Sequence, residues 1–342
     1  MITNISWLIA FTMAFFSISL LKPLAIRLRL VDSPGGRKQH QGDIPLIGGL
    51  AMFVGFLFAL LTLNVSLSIY RSFIAGCGLL VLVGVLDDFQ ELSPRARLVA
   101  QIIAGILMAV WGSNQLTHFG NIFFFGNITL GLLSIPITVF AVVGIINAVN
   151  MTDGLDGLAG SLALVQLGLL ALIAYKGYLQ TEVQILCSLI FALIGFLVFN
   201  LRLPWRNHAH IFMGDSGSMF LGYALAWFLV SLAQNPLEVA RPVTMIWIMI
   251  VPLFDTTRLL IRRIYQRRSP FSPDREHIHH LLADKGLSAT QIILLLCLAT
   301  LAAGLFVIFC DHFKVLSGIM FFSYIVLFGL FYWWMERLTG GE

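Results

Sequence analysis

The sequence predicts an all-α polytopic membrane protein, and three observations support this fold class: the composition, the length of the apolar segments, and the distribution of basic residues. Of the 342 residues, 58% are hydrophobic and only 11% are charged, and the mean hydropathy is +0.91. Soluble domains carry about 25% charged residues. The composition therefore excludes an ordinary soluble globular protein, and we treat residues 1–342 as a single integral membrane domain.

Apolar segments recur along the whole chain at lengths suited to crossing a bilayer, which takes about 20 residues of helix. Two of these segments are too short to cross the bilayer unless flanking residues are included. A count of ten transmembrane helices therefore stays open. We predict about eleven transmembrane helices. The segments are residues 5–21, 46–63, 69–86, 98–111, 130–149, 158–174, 183–199, 219–232, 243–261, 292–309 and 315–335.

The basic residues are distributed asymmetrically between alternate loops. Placing alternate loops on one side of the membrane puts 17 of the 21 Lys and Arg residues there, the exceptions being Arg71, Lys176, Arg241 and Lys314. Cytoplasmic loops carry an excess of Lys and Arg, so the N-terminus is predicted outside and the C-terminus inside. No basic residue precedes the first segment, which therefore indicates an anchor and not a cleaved signal peptide.

The stretch that ends the fifth segment combines amides, carboxylates and glycines. If the helix continued through it, Asn150, Asp153 and Asp156 would stack along one side. Unpaired carboxylates are costly in hydrocarbon, so such residues usually face an aqueous cavity, a cation or a substrate. Gly154 and Gly157 would let a ligand or another backbone approach closely. The same two Asp residues are also consistent with capping the next helix, and both interpretations stay open.

A second acidic group, Asp87, Asp88 and Glu91, ends the third segment. Adjacent carboxylates repel each other unless positive charge lies nearby. A divalent metal or a charged substrate complex would supply that charge, and Arg95 or Arg97 would serve equally well.

A third acidic position, Asp215, is set among small residues immediately before the eighth segment. This pattern suits a metal ligand next to helix amides that face a phosphate, and it also suits a simple N-cap with a glycine turn. In the ninth segment, Asp255 and Arg258 are one turn apart and predict a local ion pair. In the first cytoplasmic loop, Lys38 and His40 are candidates for contact with phosphate, or are ordinary members of a basic loop.

Three helix starts are predicted from capping patterns. Residues 93–94 are Ser-Pro, typical of an N-cap followed by the first helical residue, and residues 288–291 resemble a capping box. Residues 272–273, also Ser-Pro, predict a short cytoplasmic helix that would place His277 and His280 one turn apart.

The loop that contains this predicted helix is rich in histidine. Together, Arg275, His277, His279 and His280 predict a cationic or readily protonated surface near pH 7. A zinc site is conceivable there, although no cysteine is near. The four cysteines of the chain have no CxxC spacing and are interpreted as small apolar residues.

Carboxylates, basic residues and histidines on one side of the membrane suit chemistry on a phosphorylated substrate. The soluble nucleotide-binding patterns GxxxxGK[ST] and GxGxxG are absent, and nothing indicates nucleic-acid binding. An ion-coupled secondary transporter is the alternative from another class. Transporter sites, however, lie near the bilayer midplane between repeated, broken helices, whereas these acids gather at predicted helix ends and no inverted repeat is evident.

Four motifs together resemble one enzyme family. They are Asp87-Asp88, Asn150-Met-Thr-Asp-Gly-Leu-Asp-Gly157, Phe212-Met-Gly-Asp-Ser-Gly-Ser218 and His277-Ile-His-His280, and they are similar to the polyprenyl-phosphate N-acetylhexosamine-1-phosphate transferase superfamily. The segments 37–49 and 269–281 are most similar to its undecaprenyl-phosphate N-acetylglucosaminyl-1-phosphate branch. The phospho-N-acetylmuramoyl-pentapeptide branch, with three consecutive histidines, is the alternative. Glu91 departs from the family pattern, which usually has a further Asp in that motif.

The resemblance implies transfer of GlcNAc-1-phosphate from UDP-GlcNAc to undecaprenyl phosphate at the cytoplasmic face of a bacterial inner membrane, as the first membrane step of O-antigen or related polysaccharide synthesis. It also implies Mg²⁺ or Mn²⁺ as cofactor and leaves room for a homodimer. By analogy, Asp215 would hold the metal, and Asp87, Asp88 and His279 would be catalytic. The implied substrate-binding residues are Lys38, Asn150, Asp153, Asp156, Asn200, Phe212 (by stacking on the nucleoside), Arg275, His277 and His280.

The predicted orientation is tested by a reporter fused after Glu342. Because the basic residues place the last loop inside, a fluorescent reporter should be active there and alkaline phosphatase should be inactive. The opposite pair of signals would overturn the orientation.

Overall fold

The computed structural model describes residues 5–33, 42–202, 206, 208–268 and 276–339. It confirms the predicted all-α class. The described strands are two short antiparallel ones, β1 (Val31–Asp32) and β2 (Ile44–Pro45). The helices, in chain order, are α1 (Ile5–Leu28), α2 (Gly48–Leu61), α3 (Arg71–Gln90), α4 (Pro94–Ile106), α5 (Ser134–Thr152), α6 (Leu158–Lys176), α7 (Gln180–Asn200), α8 (Gly214–Ala233), α9 (Pro242–Ile248), α10 (Ile250–Tyr265), α11 (Ile278–Asp284), α12 (Ala289–His312) and α13 (Ser317–Leu338).

Within the described ranges, nine helical segments are long and apolar enough to cross a membrane. The pair α9 and α10 would make ten if counted as one span. Helix α2 has 14 residues, or about 21 Å at 1.5 Å per residue, which is less than the roughly 30 Å of a bilayer core. The multi-pass architecture is thus confirmed, and the count of eleven stays a prediction.

The predicted ninth span, residues 243–261, is divided between two helices. Helices α9 and α10 meet at Met249 and are bent by 83°. Pro252 lies in the first turn of α10, where its missing N–H cannot continue the hydrogen bonds of α9. The bend directs α10 away from the line of α9.

Helix α8 is the centre of the bundle. Its best apolar stretch is 94% buried, whereas the corresponding stretch of α13 is only 17% buried. Glycines let the neighbouring backbones reach it: a Cβ on Gly49 of α2 would lie 2.1 Å from the backbone nitrogen of Gly217, and a Cβ on Gly84 of α3 would lie 2.3 Å from the Cα of Ser216. These close approaches bring the ends of α2 and α3 to the first turn of α8.

Two of the predicted helix starts are confirmed. The Ser93 hydroxyl accepts a hydrogen bond from the backbone of Ala96, with Pro94 as the first helical residue, and Ser288 forms the capping box with Gln291.

The third predicted start and one predicted continuation differ from the structure. Residues 272–273 lie outside the described ranges, but the short helix α11 begins only at Ile278, with His277 as its N-cap. His277 and His280 are nevertheless one turn apart, as predicted, because the backbone nitrogen of His280 donates to the carbonyl of His277 at 3.0 Å. Helix α5 ends at Thr152, so the stacking of Asp153 and Asp156 along a continuing helix is also wrong, and both lie in the connection to α6.

Candidate active site

The carboxylate of Asp88 caps the N-terminus of α8. It accepts hydrogen bonds from the backbone nitrogens of Asp215 at 2.7 Å and Ser216 at 3.3 Å. Gly214 has φ +72°, and a Cβ there would lie 2.5 Å from Asp88 Oδ2. Amides at a helix N-terminus stabilise negative charge, which explains how one of the two adjacent Asp residues is accommodated.

Arg97 compensates the negative charge of the other adjacent residue, Asp87. Asp87 accepts hydrogen bonds from the backbone of Leu92 at 2.7 Å and from Arg97 Nη1 at 3.1 Å. The same Nη1 lies 3.5 Å from Asp215 Oδ2, so the guanidinium bridges the two acidic motifs. Arg97 is not among the residues that the resemblance implies, and the sequence pattern does not distinguish it from Arg95 as the neutralising group.

A cavity of about 410 Å³ opens at this bridge. It contains the charged ends of both acidic motifs and the start of α4. Its lining residues are Asp87, Glu91, Leu92, Ser93, Pro94, Arg97 and Asp215. Glu91, which departs from the family pattern, has a left-handed backbone with φ +48° and ends α3 at the cavity wall.

Asn150 orients the carboxylate of Asp215. Its side-chain amide donates to Asp215 Oδ1 at 2.5 Å and to Ser218 Oγ at 2.8 Å. The last turn of α5 is thereby tied to the first turn of α8. The sequence pattern singled out Asn150 and Asp215 but gave no sign that they contact each other.

The connection between α5 and α6 adds further negative charge. The pKa of Asp153 is raised to about 7, first by desolvation and then by the negative charges of Asp215 and Asp156. Asp156 itself pairs with Arg202 at 2.9 Å and accepts from the backbone of Ala209 at 3.2 Å. Asp153 thus belongs to the acidic group around Asp215, whereas Asp156 fastens the loop after α7.

His279 is held against this connection. Its ring is buried, and a Cβ on Gly154 would lie 2.3 Å from its Nε2 atom. Nε2 has no hydrogen-bond partner among the described residues. The pKa of His279 is lowered to about 3, first by burial and then by His280 and His277. The expected cationic surface is therefore wrong at this residue, which presents a neutral imidazole at pH 7.

His277 is fixed by Asp255. The His277 Nδ1 and Asp255 Oδ2 atoms are 2.7 Å apart, and Asp255 Oδ1 accepts from the backbone of Ile278 at 2.9 Å. The predicted local pair of Asp255 with Arg258 is wrong, because Arg258 contacts the carbonyl of Glu276 and the carboxylate of Glu336 instead.

The other substrate-binding candidates lie at several places around the acidic residues and the histidines. Asn200 is buried, and its side-chain amide donates to the carbonyl of Ile211 at 2.9 Å. Phe212 is joined to β2 by its backbone, since its nitrogen donates to Pro45 at 2.9 Å. The ring of His280 lies 4.3 Å from that of His279, centroid to centroid. Two further candidates, Lys38 and Arg275, lie outside the described residues.

The side-chain oxygen atoms around Asp215 suit a divalent metal of the Mg²⁺ type. The described residues contain no group of three His, Cys, Asp or Glu side chains arranged to hold a metal. Mg²⁺, however, is usually bound by one or two carboxylates and completes its coordination with water and substrate phosphates. Asp215, oriented by Asn150 and adjoining the acidic Asp153, supplies that kind of incomplete site.

The pairing of Asp255 with His277 gives a stability prediction. In Asp255→Asn, the buried imidazole loses its carboxylate partner, and breaking a buried pair costs about 3 kcal/mol. We expect a lower midpoint of thermal unfolding for the purified protein in detergent. Asp284→Asn, an exposed change on α11, is the matched control; equal midpoints for the two variants would contradict the pairing.

Comparison with known proteins identifies the family. Residues 70–233 match the family model described as glycosyl transferase family 4. The chain is similar to the undecaprenyl-phosphate alpha-N-acetylglucosaminyl 1-phosphate transferase of Haemophilus influenzae, with 36% identity over 96% of this chain and 92% of the relative. It is similar to the enzymes of the same name from Yersinia pestis, with 35% identity over 87% of this chain and 81% of the relative, and from Escherichia coli K12, with 34% identity over 81% and 76%. The matches confirm the resemblance seen in the four motifs, and the chain belongs to glycosyl transferase family 4 as a membrane enzyme that transfers a sugar-1-phosphate.

Proposed function

We propose that this protein transfers GlcNAc-1-phosphate from UDP-GlcNAc to undecaprenyl phosphate. A phosphate oxygen of the lipid attacks the β-phosphorus of the donor, the bond between that phosphorus and the bridging oxygen breaks, and UMP leaves. The products are UMP and GlcNAc-diphosphoundecaprenol. The observation that carries the proposal is the meeting of Asp87, Asp88, Asn150 and Asp215 with Arg97 beside one cavity.

The acceptor needs little activation. A phosphate monoester has a second pKa near 6, so the lipid phosphate is already mostly dianionic at pH 7. The harder task is to bring two anionic substrates together beside several carboxylates. Positive charge and preorganised dipoles therefore matter more than a general base.

Arg97 supplies positive charge from the protein. Its guanidinium lies between Asp87 and Asp215, within reach of an anion that enters the cavity. Bidentate contact with phosphate oxygens suits a guanidinium. We propose that Arg97 contacts the diphosphate, while Asp87 or Asp88 positions the acceptor.

A divalent cation, Mg²⁺ or Mn²⁺, would neutralise developing charge on the diphosphate when bound. Asp215 is the residue proposed to hold it, with the Asp215 carboxylate kept in place by Asn150. His279 is proposed to offer its Nε2 atom to the donor as a neutral hydrogen-bonding group.

For the nucleoside, the proposed contacts are divided between direct and indirect roles. Phe212 would stack on the base. Asp156 and Asn200 are already bonded within the protein, so we assign them to holding the loops that shape the donor site. The whole site would face the cytoplasm of a bacterial inner membrane, in accord with the basic loops on that side.

The proposed activity is tested by offering a panel of UDP-sugars to purified protein with undecaprenyl phosphate and Mg²⁺, and measuring release of UMP. UDP-GlcNAc should be used and UDP-MurNAc-pentapeptide rejected, because a site without partners for the peptide arm leaves polar groups unpaired. UDP-GalNAc is the closest competitor. Transfer from the muramoyl-pentapeptide donor would overturn the assignment, and absence of UMP release with every donor would favour the transporter alternative.

Asp215→Asn should abolish metal-dependent turnover, by about 10²-fold or more, because the proposed ligand loses its charge. The variant should still insert and purify as a single species. Asp284→Asn, at an exposed position, should leave turnover unchanged. Persistence of both turnover and its metal dependence in Asp215→Asn would place the metal elsewhere.

His279→Ala should lower kcat by about 10²-fold, on the scale of losing one preorganised donor, whereas His279→Gln should retain part of the rate. Because the pKa of His279 is lowered to about 3, the neutral form predominates at any higher pH. The kcat of the native enzyme should therefore show no inflection from this residue between pH 6 and pH 8. An inflection near pH 6.5 that disappears in His279→Gln would show instead that the residue acts as a cation.

A further inference from the structure

A group of charged residues joins the end of α10 to the end of α13, outside the cavity described above. Arg262 pairs with Glu276 (Nε to Oε2, 2.7 Å) and with Glu336 (Nη1 to Oε2, 2.7 Å), and it donates to Thr339 Oγ1 at 3.1 Å. Arg258 has no solvent exposure; it donates to the backbone carbonyl of Glu276 and lies 3.5 Å from Glu336 Oε1. We call Arg258, Arg262, Glu276 and Glu336 the α10–α13 network.

Glu336 is the part of this network that comes from the last helix. A fully buried guanidinium is costly unless a carboxylate and hydrogen bonds compensate it. Glu336 is the carboxylate that both arginines share. Without it, Arg258 would keep its hydrogen bond to the Glu276 carbonyl but lose its contact with the Glu336 carboxylate. The geometry of both arginines therefore depends on a residue of α13.

The same arginines hold the start of the histidine motif. Arg258 donates a hydrogen bond to the backbone carbonyl of Glu276, and Arg262 forms an ion pair with the Glu276 carboxylate. The next residue, His277, is bonded to Asp255, which lies one turn before Arg258 on α10. Residues 276–278 are thus fastened to one face of α10 by both their backbone and their side chains.

His279 follows directly from this fastened segment. Its ring stacks on that of His277, with centroids 5.5 Å apart and planes inclined by 18°. On its other side the ring meets Gly154. A shift of the segment 276–278 would therefore move the His279 imidazole relative to the connection that carries Asp153.

We propose that Glu336 is a positioning residue for the transfer reaction: through Arg258 and Arg262 it fixes the segment 276–278 and thereby sets the position of His279. This inference rests on the proposed function for its catalytic consequence. Glu336 does not touch substrate; it acts through the α10–α13 network. Misplacement of a reacting group by about 1 Å is enough to slow a reaction about 10²-fold.

The test compares Glu336→Ala and Glu336→Gln with Asp311→Asn. Asp311, in the last turn of α12, pairs with Arg241 and accepts a hydrogen bond from Thr244. Its replacement therefore breaks an arginine–carboxylate pair of the same chemistry away from the site. We expect Glu336→Ala to lower kcat by about 10- to 100-fold with a smaller change in the KM for UDP-GlcNAc. Glu336→Gln should lie between Glu336→Ala and the native enzyme, and Asp311→Asn should keep its kcat.

Two readouts separate positioning from general destabilisation. In the double variant Glu336→Ala/His279→Ala, kcat should be no lower than in His279→Ala alone, because both changes remove the same function. The rate at which diethyl pyrocarbonate modifies His279, followed by mass spectrometry, should rise in Glu336→Ala and stay unchanged in Asp311→Asn.

Three results would overturn the inference. These are a native kcat in both Glu336 variants, losses that multiply in the double variant, or an unchanged modification rate at His279. If Glu336→Ala does not yield folded protein, Glu336→Gln carries the same comparisons. Absence of UMP release by the native protein would refute the proposed function, whereas the modification of His279 would still test the structural link by itself.

Discussion

The structure depends on the hydrogen bonds that the Asp88 carboxylate accepts from the first turn of α8. They join two motifs 127 residues apart in the chain, and they fix the direction in which α8 begins. Gly84 and Gly49 make this possible, because a side chain at either position would collide with the backbone of α8. The cap and the close packing together put Asp215 at the cavity, where Asn150 and Arg97 reach it.

The balance of charge around α8 explains why the site suits phosphorylated substrates. Asp88 is compensated by backbone amides and Asp87 by Arg97. Asp153 lies in the connection between α5 and α6, where desolvation and then the negative charges of Asp215 and Asp156 raise its pKa to about 7. A cluster of this kind attracts a divalent cation, and a cation in turn attracts a diphosphate. Arg97 and the Nε2 atom of His279, which has no hydrogen-bond partner in the part of the chain that the structure describes, add to the same preference.

Sequence patterns predicted what depends on local residues. The fold class follows from composition, and the helix starts at Ser93 and Ser288 follow from side chains that bond their own first turn. Interactions between distant residues were beyond such patterns. Asp255 had a plausible local partner in Arg258, yet it pairs with His277, 22 residues away. The choice of Arg97 as the bridge and the 83° bend before Pro252 likewise depend on how helices pack.

The central claim is that one donor site lies where α3, α5 and α8 meet. It is tested most directly by an experimental structure of the protein with UDP-GlcNAc and Mn²⁺, in which the anomalous signal of manganese locates the metal. Manganese should lie on the Asp215 carboxylate, with the diphosphate in contact with Arg97 and with His279. Manganese and nucleotide bound away from the first turn of α8 would contradict the claim.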